Sequence, residues 1–314
     1  MGDQIDEVGQ MGQAITASAS RFAVRTHQLS KKYGETEAVR QLDMNVPLGP
    51  ISGFLGQNGA GKSTTLKMLM GAVRPSSGSG QIFGLNIADP AQSVEIRKRV
   101  AFVSEDKRLY DYMTVEQIIR FTRSFFPKWR YDLEARFLEI YPLPLERKIK
   151  KLSKGMRTQL ALLLGISRGA EMLVLDEPTE GLDPVAIEAL LQLLKGLAAE
   201  GTTILFSSHQ IADVEQIADH VFMIYRGELV LSSGVDRLKN EYRRLVAVFD
   251  GPVNEKDLAM QGVKRIGIAG PIVTLIIDHD SERFIERLRC LKATNIDVLP
   301  VTLKEIFLEN LGAK

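Results

Sequence analysis

"GFLGQNGAGKSTTLKML", residues 53–69, places four glycines and a lysine directly ahead of a run with helical spacing. Glycine admits backbone angles that other residues avoid, so successive amide N–H groups can converge on one anion. A helix that follows adds the positive end of its dipole and its unpaired N–H groups. The stretch fits G-x-x-x-x-G-K-[ST]: Gly56, Gly61, Lys62 and Ser63 hold the fixed positions, with Gln57, Asn58, Gly59 and Ala60 between them and Thr64 after. Four such positions coincide by chance in about 1 of 100 chains of this length. The spelling alone therefore leaves an ordinary glycine-rich turn as the alternative. The flanks favour the cradle: "PISGFLG" has strand character and "STTLKMLMGA" is helical.

Working outward, the pattern is mixed α/β. Strands are expected from Phe22 to Met44, then the cradle and its helix to about Val73, then a turn-rich passage, "RPSSGSGQIFGL". A helix and the strand "RVAFVSE" follow. Between 106 and about 165 the texture is mostly helical: Ile118, Phe121 and Phe125 recur at helical spacing, as do Leu133, Phe137 and Ile140, and Thr114 with Gln117 resembles a capping box. Phe121 and Phe125 fit either this insertion's own core or a partner surface. Trp129, surrounded by Pro127, Lys128 and Arg130, is expected at an interface. Beyond it, strands and helices alternate again, which predicts a parallel sheet. After about Asn240 short strands and a helix suggest a small α+β appendage over 240–314, while 1–21 reads as a disordered polar leader.

Composition narrows the class. With 45% hydrophobic residues and a net charge of +1, the chain is neither mainly disordered nor basic enough to attract nucleic acid by charge. One cysteine, Cys290, rules out an intramolecular disulfide. No apolar run reaches the roughly eighteen residues needed to span a bilayer.

A phosphate cradle needs a magnesium ligand and a group that activates water. "MLVLDEPTEGLDP" offers both: Asp176 ends a buried apolar strand, at the edge where open parallel sheets bind ligands, and Glu177 comes next as a proton acceptor. His209 ends the following strand, "ILFSSHQ", and so faces the same edge. In "KKLSKGMRTQLALLL", Ser153 and Gly155 open an amphipathic helix with amides free to meet an anion.

This order of motifs, over roughly residues 22–235, resembles the nucleotide-binding subunit of ABC transporters. "GQNGAGKST" is similar to the Walker A loop, "MLVLDE" to the Walker B strand, "LSKGM" to the signature commonly written LSGGQ, "EGLD" to the D-loop, and His209 to the switch histidine. The C-terminal "VTLKEIFLENL" resembles a segment of ABC-2-type subunits, and "FFPKW" and "KIKKLSKGM" are closest to the subgroup that includes YtrB-like ATPases. Lys154, Met156 and Arg157 replace the usual signature residues after Ser153, and Glu105 stands where a glutamine is usual.

The resemblance implies an α/β fold: a P-loop NTPase domain of the ABC ATPase type over 22–239, with the helical insertion, plus the small α+β appendage. It implies ATP and Mg2+ as cofactors. Tyr33 would stack on adenine; Ser63, Asp176 and Glu105 would hold the metal; Glu177 and His209 would be catalytic. Ser153 and Gly155 would reach the nucleotide of a second subunit, with Asp183 coupling the two sites. The implied partners are that second subunit, in a homodimer or heterodimer, and a multispanning permease reached through the helical insertion, with no nucleic acid. The implied location is cytoplasmic, on the inner face of the membrane through the permease. The alternatives are a soluble non-transport ATPase of the family and a low-turnover regulatory subunit.

Overall fold

The computed structural model describes residues 22–312. The expected leader lies outside them. The chain forms two compact units, one ending at Ser232 and one beginning at Ser233.

The first unit opens with β1 (Phe22–Tyr33), β2 (Thr36–Leu42), β3 (Asn45–Pro47) and β4 (Ile51–Leu55). α1 (Lys62–Leu69) follows the glycine loop, and β5 (Ser77–Ile82) and β6 (Leu85–Asn86) come next. β2, β1, β5 and β6 form an antiparallel sheet in that order, with β3 also paired to β1. α2 (Pro90–Arg99) begins at a strong stop: Asp89 accepts hydrogen bonds from the amides of Ala91 and Gln92, and Pro90 supplies a preset φ.

β7 (Val100–Val103) leads into the insertion, α3 (Val115–Arg123), α4 (Tyr131–Ile140) and α5 (Lys154–Ile166). The capping box is present: the Gln117 amide donates to Thr114 Oγ1 at 3.2 Å, and the Thr114 amide donates to Gln117 Oε1 at 2.9 Å. The remaining elements are β8 (Met172–Asp176), α6 (Pro184–Ala199), β9 (Thr203–Ser208), α7 (Ile211–Ile217), β10 (His220–Tyr225) and β11 (Glu228–Gly234).

The second sheet runs β11-β10-β4-β9-β8-β7, parallel from β10 to β7. β4, β8 and β9 are buried at every residue, as their near-continuous apolar runs require of strands covered on both faces. Leu66, Met68 and Leu69 of α1 join Val24, Leu29 and Val39 of the antiparallel sheet to Phe54, Val174, Leu205 and Phe222 of the parallel one. Each such side chain contributes about 1.5–3 kcal/mol on burial. The core thus fixes α1, and with it the glycine loop, over the carboxyl ends of the parallel strands.

The structure corrects the expectation for the insertion's aromatics. Trp129 is only 6% exposed, whereas Phe121 and Phe125 are 40% and 62% exposed. The indole Nε1–H of Trp129 donates to Glu134 Oε2 at 2.6 Å, and Arg123 grips the same carboxylate at 2.6 and 2.8 Å. Flanking charges made Trp129 look exposed, yet they snorkel outward while the buried indole and Arg123 of α3 meet on Glu134 of α4. Trp129→Ala is expected to lower unfolding stability by about 3–5 kcal/mol, read by denaturant titration; a loss under about 1 kcal/mol would put the ring back at the surface.

The second unit contains α8 (Val235–Glu241), β12 (Arg243–Phe249), α9 (Glu255–Leu258), β13 (Val263–Ala269), β14 (Ile272–Ile277), α10 (Ser281–Cys290), β15 (Ala293–Pro300) and α11 (Leu303–Gly312). Its antiparallel sheet runs β13-β14-β12-β15. Phe284 and Leu288 of α10 pack on the face lined by Leu245, Ala247, Val273, Leu275 and Ile277. It begins ahead of the change of texture near Asn240, because α8 belongs to it.

Candidate functional site

β4 ends at Leu55 and the chain turns through Gly56–Gly61 into α1. Gly61 adopts φ 109, and a Cβ there would sit 2.5 Å from the Ala38 carbonyl oxygen; a Cβ on Gly56 would sit 2.6 Å from that of Ile224. Only glycine fits either position. Lys62 folds back over the loop it ends: its Nζ donates to Gly56 O at 2.6 Å and to Gln57 O at 3.4 Å, and the residue is 5% exposed. A cation is thus held in the bend by backbone carbonyls.

The neighbouring strands bring acids to it. Asp176 closes β8 opposite Ser207 of β9. Ser207 Oγ donates to Asp176 Oδ1 at 2.6 Å and accepts from the Glu177 amide at 3.1 Å, which fixes the turn after the strand. Ser63 Oγ, in the first turn of α1, lies 3.1 Å from Asp176 Oδ1 and 3.4 Å from Glu105 Oε2. The second Asp176 oxygen, Oδ2, is buried without a hydrogen-bond partner. A buried, orphaned carboxylate oxygen beside a hydroxyl and a second carboxylate is a hard-oxygen set that fits a magnesium ion.

Glu177 has φ 48, a left-handed conformation rare outside glycine, which costs about 1–3 kcal/mol and swings the side chain away from the strand direction. Its Oε1 is 3.1 Å from Lys62 Nζ, an ion pair by distance without hydrogen-bond alignment. Its Oε2 lies 2.9 Å from His209 Nδ1 and also accepts from the His209 amide at 3.3 Å. With Nδ1 turned to the carboxylate, Nε2 is left for a second contact. The arrangement is a relay: ammonium, carboxylate, imidazole.

Gln57, Asn58, Gly59, Gly61, Lys62, Ser63, Thr64, Glu105, Glu177 and His209 line one cavity of about 300 Å³, together with Ala38 and Glu180. Asp176 lies beneath it, and Ala60 is buried in the bend. Gly56, Ala60 and Asp176 do not line it, and neither do four further residues expected from the sequence. Tyr33 is half exposed at the end of β1, with Lys31 Nζ 5.0 Å above its ring. Ser153 caps α5 by accepting from the Met156 amide at 3.2 Å, and Asp183 caps α6 by accepting from the Ala186 amide at 3.0 Å. Gly155 packs on the loop before α6, where a Cβ would come 2.6 Å from Gly181 O.

Sequence reasoning missed Ser207, Glu180 and Lys107. Ser207 carried a signal: it is a polar residue inside a fully buried strand, two places before His209. Lys107, 8% exposed, donates to Glu105 O at 3.2 Å; burial pushes its ammonium down from the ordinary value, and Glu180 and Glu105 oppose that shift.

The ABC transporter family profile matches residues 39–180. The bacitracin transport ATP-binding protein BcrA of Bacillus licheniformis is 33% identical over 313 residues, covering 93% of this chain and 96% of that protein. The chain belongs to the ABC transporter family. The ABC transporter ATP-binding protein YtrB of Bacillus subtilis (strain 168) is 29% identical over 292 residues, 93% of this chain and 99% of its own, which agrees with the subgroup read from the motifs. Among solved structures, an ATP-binding subunit of an ABC transporter superposes with a TM-score of 0.63 at 28% identity, covering 69% of this chain and 92% of that one. This ABC protein is an ATP-binding and ATP-hydrolysing subunit that energises a membrane permease. Among the described residues no helix is long and apolar enough to cross a membrane.

Proposed function

We propose that two nucleotide-binding subunits pair head to tail around two ATP molecules and drive export through the permease. The observation that carries this reading is the convergence of Lys62, Glu177 and His209 beside the buried, orphaned oxygen of Asp176. Lys62 offsets phosphate charge, and Tyr33 offers the adenine a stacking face. Ser63, Asp176 and Glu105 would hold Mg2+, which when bound would neutralise phosphate charge. Glu177 takes the proton from the water that attacks the terminal phosphorus, and the bond to the ADP oxygen breaks as the new P–O bond forms. His209 Nε2 faces the terminal phosphate. Ser153 and Gly155 supply amides to the partner's nucleotide, and Asp183 couples the two sites. Bacitracin transport by one relative is in keeping with export. A low-turnover subunit paired with a more active homologue is the second reading, favoured by Glu105 and Lys154.

The permease contact on this reading is the aromatic face of the insertion. Tyr110, Phe121 and Phe125 stack edge to face, with centroids 5.8 and 5.0 Å apart, and Tyr112 lies 5.9 Å from Tyr110. The test is a pull-down from detergent-solubilised membranes with the tagged Glu177→Gln chain and ATP. A multispanning protein is expected to co-purify, and to be lost when Phe121 and Phe125 are both changed to Ala while ADP binding persists. Recovery of only soluble partners would reject the transport reading.

A further inference from the structure

Lys154 is the first residue of α5, immediately after its cap. A lysine there opposes the helix dipole, which disfavours a cation at this end by about 0.3–1 kcal/mol. The conflict has a local answer. Lys154 Nζ lies 2.6 Å from Glu180 Oε1, although the lysine side chain is 67% exposed. An ion pair this open contributes about 0–1 kcal/mol to stability, so the fold does not depend on it. Two other ties already join the same segments. Thr158, fully buried one turn along α5, donates to Glu180 O at 3.1 Å and to Lys154 O at 3.2 Å, and Gly155 packs against Gly181 too closely to admit a Cβ.

Glu180 also belongs to the nucleotide cavity. It lines that cavity beside His209, and its amide donates to Glu177 O at 3.3 Å. The hydrogen bond from Lys154, reinforced by the nearby charge of Lys107, holds its carboxyl below the ordinary value, so Glu180 is an anion facing cations on two segments. Both ends of the pair thus touch machinery: one sits next to Ser153 and Gly155, the other next to Glu177.

We infer that Lys154 and Glu180 are a positioning pair that makes the first turn of α5 follow the loop after Glu177, so that nucleotide in the cavity orients Ser153 and Gly155 for the partner's site. This rests on the reading that those two residues serve a second subunit's nucleotide. The pair touches no reacting atom. It acts on turnover by orientation, and Lys154 stands outside the lining of the cavity that holds its own chain's nucleotide.

The experiment compares Lys154→Met, Glu180→Gln and the double variant with the unaltered chain. Each single change is expected to lower kcat for ATP about tenfold, with KM within about twofold in Lys154→Met, whose side chain does not line the cavity, and the double change to cost no more in kcat than either single one, because one interaction is lost once. Hydrogen exchange with and without ADP supplies a second readout that needs no turnover. In the unaltered chain ADP is expected to slow exchange at residues 154–160 as well as in the glycine loop. In either variant the slowing is expected only in the loop. Retained ADP protection of 154–160 in the variants, or kcat losses that multiply in the double change, would overturn the pair. Absence of turnover in the unaltered chain would count against autonomous hydrolysis instead, and the exchange data would still decide this inference.

Discussion

Glu177→Gln is expected to cut steady-state phosphate release by at least about a hundredfold while leaving ATP binding in place, the loss typical of removing a general base. The substitution keeps the shape of the side chain and its φ of 48. A glutamine oxygen still accepts from His209 Nδ1, which lies 2.9 Å from the present carboxylate, so the ring stays oriented. What disappears is basicity: an amide cannot take the proton of the attacking water. The charge facing Lys62 also disappears, which frees the ammonium for phosphate and makes a loss of affinity the wrong outcome. ATP should then hold two subunits together, giving a dimer by light scattering with ATP and a monomer with ADP. Wild-type turnover in this variant would remove Glu177 from its role, whatever the dimerisation result.

The parts of the site that could be read from the sequence are those set by local chain geometry. Gly56 and Gly61 announce a backbone packed too tightly for a Cβ, and an apolar strand ending in Asp176 announces a sheet edge. His209 could be added because β9 neighbours β8. The capping box at Thr114 was legible for the same reason, since both partners lie within one turn. Residues brought together by tertiary packing were not. Trp129 has charged neighbours in sequence but an apolar slot and Glu134 in space. Phe121 and Phe125 have helical spacing suited to a core, yet α3 turns that edge outward. Glu180 and Lys154 are 26 positions apart, and nothing in either segment announces that Gly155 and Gly181 bring the start of α5 against the loop after β8. Ser207 signals itself only as a polar residue in a buried strand, and its partner is set by the register that places it opposite Asp176.

Lys62→Ala is expected to weaken both ATP and ADP binding by at least about thirtyfold, in the range of about 2–5 kcal/mol for truncating one member of a buried, hydrogen-bonded charge pair. Two effects act in the same direction. The ammonium held by Gly56 O and Gln57 O is the charge that the loop presents to phosphate. Its removal also leaves Glu177, 5% exposed, as a buried carboxylate facing the incoming phosphates with only His209 beside it. The second effect is separable. Changing Glu177 to Gln in the Lys62→Ala background removes the repelling charge and should recover part of the affinity without restoring turnover. Titration of a fluorescent ADP analogue, with thermal unfolding to confirm that each variant is folded, measures both steps. Unchanged affinity in Lys62→Ala would mean that the glycine loop binds phosphate through its amides alone. A double variant that binds no better than Lys62→Ala would mean that Glu177 does not face the phosphates, and its assignment as the base would fall with it.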